Sequence, residues 1–210
     1  MNEAIDKYIS NHTSPESDVL GKLNRETHLR ILNPRMLSGH IQGKFLEMIS
    51  RMIRPESILE IGTYTGYSAI CLAKGLKNGG ILHTIEINQE LEIIARDYIA
   101  KAGLQNVIRQ HIGDALKIIP TLNEEFDLVF IDADKENYLR YYQMAFDSVK
   151  KGGFILADNA LWDGKVVESD LQADKETRGI KAFNDFVQND ARVENVLLSI
   201  RDGVMLVCKL

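Results

Sequence analysis

Residues 59–68, LEIGTYTGYS, constrain the fold of this chain more than any other segment. A short apolar strand runs into a turn with two glycines, Gly62 and Gly66, and the apolar residues after Gly66 predict a buried helix. A strand, a glycine-containing turn and a helix in this order form the ligand crevice of an open α/β sheet. Glycine lets the backbone turn sharply and lets a ligand approach it closely.

The spacing of this turn argues against a phosphate ligand. A turn that binds a pyrophosphate has the pattern GxGxxG and presents backbone N–H groups to the negative charge. This turn has the pattern GxxxG, and the carboxylate of Glu60 stands just before its first glycine. Because that carboxylate would repel a phosphate, it indicates a cationic ligand group, such as the amino group of S-adenosylmethionine.

A second carboxylate, Glu86, ends the next predicted strand, 81–86. It lies 20 residues after Gly66, where an acidic side chain can accept hydrogen bonds from both hydroxyls of an adenosine ribose. Enzymes that use NAD bind the ribose in the same way, so Glu86 by itself indicates an adenosine ribose and no particular cofactor. A solvated carboxylate at a strand end is the alternative interpretation.

Length and composition bound the remaining possibilities. The 210 residues suit a single α/β domain, and the 25 Lys and Arg are scattered, which argues against a nucleic-acid partner. Cys71 and Cys208 both lie in apolar runs, which predicts free thiols in a reducing cytoplasm. The sequence shows no signal peptide and no apolar run of about 18 residues, so we expect a cytoplasmic protein without membrane contact.

Residues 1–55 are predicted to form a helical cover over an α/β core that comprises residues 56–210. Ser14-Pro15-Glu16 predicts a helix start, with Ser as N-cap and Pro at the first helical position. A set of apolar residues at helical spacing predicts a further helix, which ends at Arg54-Pro55. These apolar residues are Ile41, Phe45, Met48, Ile49 and Met52.

From residue 57 onward, predicted strands and helices alternate. The strands are expected near 57–61, 81–86, 107–111, 126–131, 152–157, 193–200 and 204–209. The helices are expected near 66–77, 89–102, 114–119, 135–150 and 176–189. Arg201-Asp202-Gly203 joins the last two strands, and Asp-Gly between apolar runs is a hairpin signal. We therefore predict a seven-stranded, mostly parallel sheet with an antiparallel last strand, the methyltransferase variant of the doubly wound fold.

Oxygen-bearing side chains follow two further strands. Asp132 comes directly after strand 126–131, and Asp158 and Asn159 come directly after strand 152–157. Because the carboxyl ends of parallel strands face one crevice, these three side chains are expected to converge there. Hard oxygen ligands select Mg²⁺, Ca²⁺ or Mn²⁺ over zinc. Helix caps and solvated strand ends are the alternative interpretation.

Two more residues at this edge carry chemical groups of interest. Asp114 follows strand 107–111 and would either cap the next helix or contact the adenine amino group. Lys135 lies in the first turn of helix 135–150, where a cation opposes the helix dipole. That mild cost suggests a functional role for Lys135, although most lysines are solvated surface charges.

Together these motifs resemble the cation-dependent O-methyltransferases, the family of caffeoyl-CoA and catechol O-methyltransferases. The segments that carry the resemblance are 36–38, 43–46, 59–68, 131–135, 158–162 and 202–203. The resemblance covers nearly the whole chain and looks closer to the small bacterial members. It implies a Rossmann-like class I methyltransferase fold, a homodimer, and methyl transfer to a hydroxyl of a catechol-like small molecule.

The resemblance also implies roles for individual residues. The S-adenosylmethionine pocket would be lined by Ser38, Glu60, Gly62, Thr63, Ser68, Glu86, Asp114 and Ala115. A divalent cation, Mg²⁺ with Mn²⁺ or Ca²⁺ as alternatives, would bind Asp132, Asp158 and Asn159. Lys135 and Asp132 would be catalytic, with Lys135 as general base. Trp162 and Asp163 would border the acceptor, and the plant caffeoyl-CoA enzymes typically have Asn in place of Asp163.

Two other classes of protein are alternatives. An NAD-dependent oxidoreductase on a Rossmann fold predicts GxGxxG, which is absent, and Tyr-x-x-x-Lys, whereas Tyr138 follows Lys135 here. A non-catalytic ligand-binding protein on the same fold predicts the loss of a metal ligand or of Lys135, and none of these residues is lost.

Overall fold

The computed structural model describes residues 3–169 and 171–210. Its seven strands form one sheet in the order β3-β2-β1-β4-β5-β7-β6. The strands are β1 (Ser57–Ile61), β2 (Ile81–Glu86), β3 (Ile108–Ile112), β4 (Phe126–Ile131), β5 (Val149–Asp158), β6 (Val193–Leu198) and β7 (Val204–Lys209). Strands β1 to β5 pair in parallel, and β7 pairs antiparallel with both β5 and β6. The predicted mostly parallel sheet with an antiparallel last strand is confirmed.

Eight α-helices surround the sheet in the described part of the chain. They are α1 (Glu3–Asn11), α2 (Asp18–Arg30), α3 (Gly39–Ile53), α4 (Tyr67–Ala73), α5 (Glu92–Lys101), α6 (Ala115–Leu122), α7 (Tyr138–Phe146) and α8 (Lys175–Gln188). Short 3₁₀ helices cover Pro34–Met36, Gln89–Leu91, Lys135–Asn137 and Trp162–Val167. Among the described helices, none has the length and apolar character needed to span a membrane.

The sheet separates two hydrophobic clusters because alternate residues of a strand point to opposite faces. In β1, Leu59 and Ile61 pack with the residues of α6, α7 and α8 on one face. Ile58 packs on the other face with the residues of α2, α4 and α5. Strands β1 and β4 are buried on both faces, which explains why they are mostly apolar, with Glu60 and Asp127 as the charged exceptions.

The first predicted helix start is wrong. Helix α2 begins at Asp18 with Ser17 as its N-cap residue, whereas Ser14, Pro15 and Glu16 precede it in irregular structure. Tertiary contacts hold this segment, since the His40 ring contacts the Ser14 carbonyl oxygen at 2.7 Å and the Tyr67 hydroxyl donates to Glu16. The segment therefore serves as a connection between α1 and α2.

The apolar stripe predicted for α3 is not its most buried face. The helix ends at Ile53 as expected, but Met48 and Met52 are 53% and 70% exposed. A Cβ on Gly43 would lie 2.5 Å from the Tyr67 ring, so this glycine lets α3 approach α4 closely. The buried face of α3 therefore has a single large apolar residue among small and polar ones, and a search for apolar residues does not find it. Its residues are Gln42, Gly43, Leu46, Glu47 and Ser50.

Other predicted boundaries shift by a few residues. The predicted helix 135–150 is a 3₁₀ turn followed by α7, which ends at Phe146. Strand β5 already begins at Val149, because Val149 pairs with Phe126 of β4. Similarly, the predicted helix 66–77 ends at Ala73.

Candidate functional site

A cavity of about 1420 Å³ lies at the carboxyl ends of β1, β2, β4 and β5. Ten of the residues predicted for the site line it: Ser38, Gly62, Glu86, Ala115, Asp132, Lys135, Asp158, Asn159, Trp162 and Asp163. Four others do not line it: Glu60, Thr63, Ser68 and Asp114. The parallel sheet thus brings the residues at its strand ends to one crevice, as the topology requires.

The turn after β1 makes a close approach to the end of β4. Gly62 has φ +103°, and a Cβ there would lie 2.1 Å from the carbonyl oxygen of Asp132. Any larger residue would separate the two strand ends. Gly62 therefore keeps the β1 turn and Asp132 at the same edge of the cavity.

Glu60 lies fully buried next to this turn. One carboxylate oxygen accepts a hydrogen bond from the Thr84 hydroxyl at 2.5 Å, and the other oxygen has no hydrogen-bond partner. Burial raises the pKa of Glu60 to about 8, although the nearby hydroxyls of Ser68 and Thr84 act to lower it. The Thr63 hydroxyl contacts the same Thr84 hydroxyl at 2.5 Å. Glu60 thus has one unpartnered oxygen, which lies behind the residues that line the cavity.

Glu86 is held by backbone N–H groups at the end of β2. Tyr64 N donates to one carboxylate oxygen at 2.7 Å, and Asn88 N donates to the other at 2.8 Å. Burial raises the pKa of Glu86 in spite of these bonds. Because each carboxylate oxygen has two lone pairs, Glu86 can still accept further hydrogen bonds from a ligand in the cavity.

Asp114 caps the helix that follows it, as one of its two predicted roles requires. Its carboxylate accepts a hydrogen bond from Leu116 N at 2.9 Å and caps the N-terminus of α6. Ala115 is buried at the start of that helix and lines the cavity.

Asp132, Asp158 and Asn159 lie at the ends of the neighbouring strands β4 and β5. Asp158 is 1% exposed, and its Oδ1 has no hydrogen-bond partner. Burial, and then the nearby charge of Asp132, raise the pKa of Asp158 to about 6. Asn159 Nδ2 donates to Asp202 at 3.2 Å, which turns the amide oxygen of Asn159 away from that carboxylate.

The predicted cation requires oxygen ligands that are free to bind it. Within residues 3–169 and 171–210, no group of three or more His, Cys, Asp or Glu side chains is placed to hold a metal ion. The predicted set contains two carboxylates and one amide. Two adjacent carboxylates, one of which is buried with an unpartnered oxygen, are costly without a positive charge between them. The residues present therefore fit a hard divalent cation with oxygen ligands.

Lys135 is buried beside Asp132, so it is not a solvated surface charge. Its Nζ donates to Asp132 Oδ1 at 3.0 Å and to the Tyr138 hydroxyl at 2.5 Å. The Tyr138 side chain is fully buried, and its hydroxyl donates to the carbonyl oxygen of Ile131 at 3.3 Å. Lys135 Nζ lies 5.9 Å from the centre of the Trp162 ring. Nζ of Lys135 is therefore fixed between a carboxylate and the wall of the cavity.

Sequence reasoning missed several residues that shape the site. They are Gln42, Asp134, Tyr138, Tyr141, Arg201 and Asp202. Tyr138 carried a local signal, because residues three apart on a helical turn are neighbours, as Lys135 and Tyr138 are. The sequence predicts Asp202 only as part of a hairpin, whereas its carboxylate accepts hydrogen bonds from Asn159 Nδ2 and from Asp163 N.

Comparisons with known proteins agree with this architecture. A family model described as O-methyltransferase matches residues 10–210. The chain is 34% identical over 203 residues to the catechol O-methyltransferase of Niastella koreensis, an alignment that covers 94% of this chain and 90% of that protein. It is 37% identical over 182 residues to the caffeoyl-CoA O-methyltransferase of Petroselinum crispum, covering 81% of this chain and 76% of that protein.

Solved structures show the same similarity. The O-methyltransferase TomG from Streptomyces achromogenes, in complex with SAM, superposes with a TM-score of 0.91 at 30% identity, covering 100% of this chain and 99% of TomG. The O-methyltransferase from Bacillus cereus, in complex with SAH, superposes with a TM-score of 0.89 at 30% identity, covering 99% of this chain and 97% of that one.

Proposed function

Since this chain belongs to the O-methyltransferase family and uses S-adenosylmethionine, we propose that it methylates a hydroxyl of a catechol-like small molecule with the help of a divalent cation. The observation that carries this proposal is the buried Asp158, which has one unpartnered oxygen and lies near Asp132 and Lys135. Family membership decides against both the NAD-dependent oxidoreductase and the non-catalytic binding protein.

The donor supplies an electrophilic methyl group on a sulfonium. Glu86 would accept hydrogen bonds from the ribose hydroxyls. The unpartnered oxygen of Glu60 would accept a hydrogen bond from the donor's amino group. Ser38 and Ala115 would form the walls of the same pocket. Each of these contacts orients the donor, and orientation of this kind can supply about 7–11 kcal/mol of barrier reduction.

The cation, Mg²⁺ with Mn²⁺ or Ca²⁺ as alternatives, would be held by Asp132, Asp158 and Asn159. When bound, it would lower the pKa of a phenol hydroxyl, which is about 10 in water. The presence of the amide of Asn159 in place of a third carboxylate leaves the site with two negative charges, which match a divalent ion. A vicinal diol offers two oxygens to such a site, whereas a simple phenol offers one.

Lys135 would accept the phenolic proton as general base, a step that requires its side chain as the neutral amine and converts it to an ammonium beside Asp132. Its Nζ is held by Asp132 and Tyr138 at the wall of the cavity, within reach of a hydroxyl placed beside Asp132. Trp162 would lie against the flat ring of the acceptor, since aromatic side chains favour aromatic partners. Asp163 would border the same acceptor.

We also propose that residues 1–210 act as one methyltransferase domain, in a cytoplasmic homodimer. The exposed apolar side chains of Met48 and Met52 on α3 support a contact with a second copy. The acceptor is a small aromatic diol, so we expect neither nucleic acid nor a membrane as partner.

The proposal is tested by methyl transfer from S-adenosylmethionine to catechols, caffeoyl esters and flavonoids, with EDTA or with added Mg²⁺ or Mn²⁺. We expect EDTA to abolish turnover and either metal to restore it. A catechol with one hydroxyl already methylated should be a poor acceptor, because it chelates poorly. Full activity in excess chelator, or equal rates with a simple phenol and a catechol, would refute the cation.

Variants separate ligand loss from unfolding. Asp158→Ala should act like chelation while it still binds S-adenosylhomocysteine and unfolds cooperatively. Asp147→Ala is the matched control, because Asp147 is an exposed aspartate just after α7. It should keep full activity and full dependence on the metal.

A further inference from the structure

Arg201 occupies an unusual backbone position in the β6–β7 hairpin. The turn is closed by Gly203 N, which donates to the carbonyl oxygen of Ile200 at 2.9 Å. Arg201 has φ +52°, a left-handed conformation that a residue with a Cβ adopts at a cost. Such positions persist when surrounding contacts require them, and they cluster at functional sites.

The Arg201 guanidinium binds three acceptors in the N-terminal cover. Nη2 donates to the carbonyl oxygen of Arg35 at 2.7 Å, and Nη1 donates to the carbonyl oxygen of Ser38 at 3.1 Å. Nη1 also donates to Gln42 Oε1 at 2.7 Å. Arg35 and Ser38 line the cavity, so one rigid side chain fixes that wall of the donor pocket to the hairpin.

Gln42 continues this connection to the predicted cation site. It is 1% exposed, and its amide lies against Asp158, where it lowers the pKa of that carboxyl. Nevertheless, neither Gln42 Nε2 nor Asp158 Oδ1 makes a hydrogen bond of ordinary geometry. A buried donor and a buried acceptor on adjacent side chains are thus both unpartnered.

The neighbouring residue of the hairpin acts on the other side of the site. Asp202 accepts from Asn159 Nδ2 at 3.2 Å and from Asp163 N at 2.5 Å. Ala160 N also donates to the Gly203 carbonyl oxygen at 3.0 Å. The β6–β7 turn therefore holds the segment after β5 through Asp202 and Gly203, and it contacts the cover through Arg201. The turn thus connects the cover to the segment after β5.

We infer that Arg201 and Gln42 are positioning residues. They hold the cover wall of the donor pocket at a fixed position relative to Asp158, the proposed cation ligand. Neither side chain needs to touch a reacting atom. The part that concerns the cation rests on the proposed function, whereas the part that concerns the donor does not. If the two sites share this connection, donor and cation affinities are linked, and each changes the other by the same factor.

Three variants test the inference. Arg201→Met removes all the guanidinium bonds and keeps much of the side-chain volume. Gln42→Leu leaves the Arg201 bonds to the cover backbone but removes the contact with Asp158. Arg192→Met is the matched control, because Arg192 pairs with Asp190 and lies over the Phe146 ring, away from the cavity.

The measurements are S-adenosylhomocysteine affinity by calorimetry, with and without Mn²⁺, and Mn²⁺ affinity by electron paramagnetic resonance. In the wild type we expect Mn²⁺ to tighten S-adenosylhomocysteine by at least about fivefold, the lower end of usual coupling. Arg201→Met should weaken S-adenosylhomocysteine alone by roughly tenfold and remove the coupling. Gln42→Leu should weaken Mn²⁺ and remove the coupling, with a smaller effect on S-adenosylhomocysteine alone. Arg192→Met should match the wild type in every binding measurement.

Each other outcome overturns a stated part. Coupling that survives in Gln42→Leu would refute the connection to Asp158, and wild-type affinity in Arg201→Met would refute the connection to the cover. If the wild type binds no Mn²⁺, the cation of the proposed function fails, and the affinities for S-adenosylhomocysteine alone still decide the role of Arg201. Should Arg201→Met not fold, Arg201→Lys takes its place, since Lys cannot bridge several acceptors as a planar fork does.

Discussion

Binding of the donor should release a proton from Glu60. Burial raises the pKa of this carboxyl to about 8, so Glu60 is mostly neutral at pH 7 in the protein alone. S-adenosylmethionine and S-adenosylhomocysteine both carry an amino group that is a cation at this pH. An opposite charge close to a carboxyl favours the ionised form, so the donor's ammonium should displace the proton.

The magnitude follows from the pKa. With a pKa of about 8, roughly nine tenths of Glu60 is protonated at pH 7. If the bound ammonium lowers this pKa to about 6 or below, each binding event at pH 7 releases roughly 0.8–0.9 protons. The affinity should then rise by up to about tenfold between pH 6 and pH 7 and level off near pH 8.

The assay is calorimetry of S-adenosylhomocysteine binding in two buffers with different ionisation enthalpies, which reports the number of protons exchanged. Glu60→Gln is the control, because it keeps the shape and hydrogen bonds of the side chain but cannot titrate. Proton release should vanish in this variant, and its affinity should be lower and independent of pH over this range. Equal proton release in both proteins, or none in the wild type, would refute the placement of the ammonium at Glu60.

The raised pKa of Glu60 should also make the stability of the fold depend on pH. The pKa of Glu60 is raised from 4.5 to about 8, so its stabilising contribution is full below pH 4.5 and is lost as the pH rises through 8. This difference corresponds to on the order of 5 kcal/mol at most. Glu60→Gln should therefore unfold at a higher temperature than the wild type at pH 9 in the absence of ligand, with a smaller difference at pH 6.

Three further predictions concern the cofactor pocket and the base. Glu86→Ala should weaken S-adenosylhomocysteine by roughly 1.5–3 kcal/mol in calorimetry, and an unchanged affinity would make Glu86 a solvated strand end. Lys135→Met should lower kcat by ~10²–10⁴ with donor affinity nearly unchanged, and by less for acidic nitrocatechols; an equal deficit for all acceptors at every pH would make Lys135 an electrostatic positioner. Tyr138→Phe should lower kcat less than Lys135→Met and cost about 0.5–1.5 kcal/mol in chemical unfolding, whereas a wild-type kcat would show that the hydroxyl does not hold Lys135.

The strand-end residues could be predicted from the sequence because the topology of a parallel sheet determines where the strands end. Glu86, Asp132 and Asp158 each follow an apolar run, and all parallel strands present their carboxyl ends to one edge. The order of the sheet places β1 between β2 and β4. These side chains therefore meet even though their positions span more than a third of the chain.

The contacts of Arg201 could not be predicted in the same way. Arg35, Ser38 and Gln42 lie some 160 residues before it, and neither helical nor strand periodicity relates residues so far apart. The face of α3 that carries Gln42 also lacks an apolar pattern, since close packing on α4 depends on Gly43. Residues at strand ends that are proposed to bind ligands are thus easier to find than the residues that support them.

Unpartnered polar atoms are the feature that no sequence pattern contains. Glu60 and Asp158 each bury one oxygen without a hydrogen bond, and such an atom costs about 1–3 kcal/mol. Whether an oxygen is left unpartnered depends on every neighbour that the fold brings or fails to bring. Both atoms lie where a positive charge is expected, the donor's ammonium at Glu60 and the cation at Asp158. A ligand that satisfies them binds the native state alone, so its binding should raise the stability of the whole fold. We therefore interpret these oxygens as binding groups whose cost in the protein alone is offset when the ligands arrive.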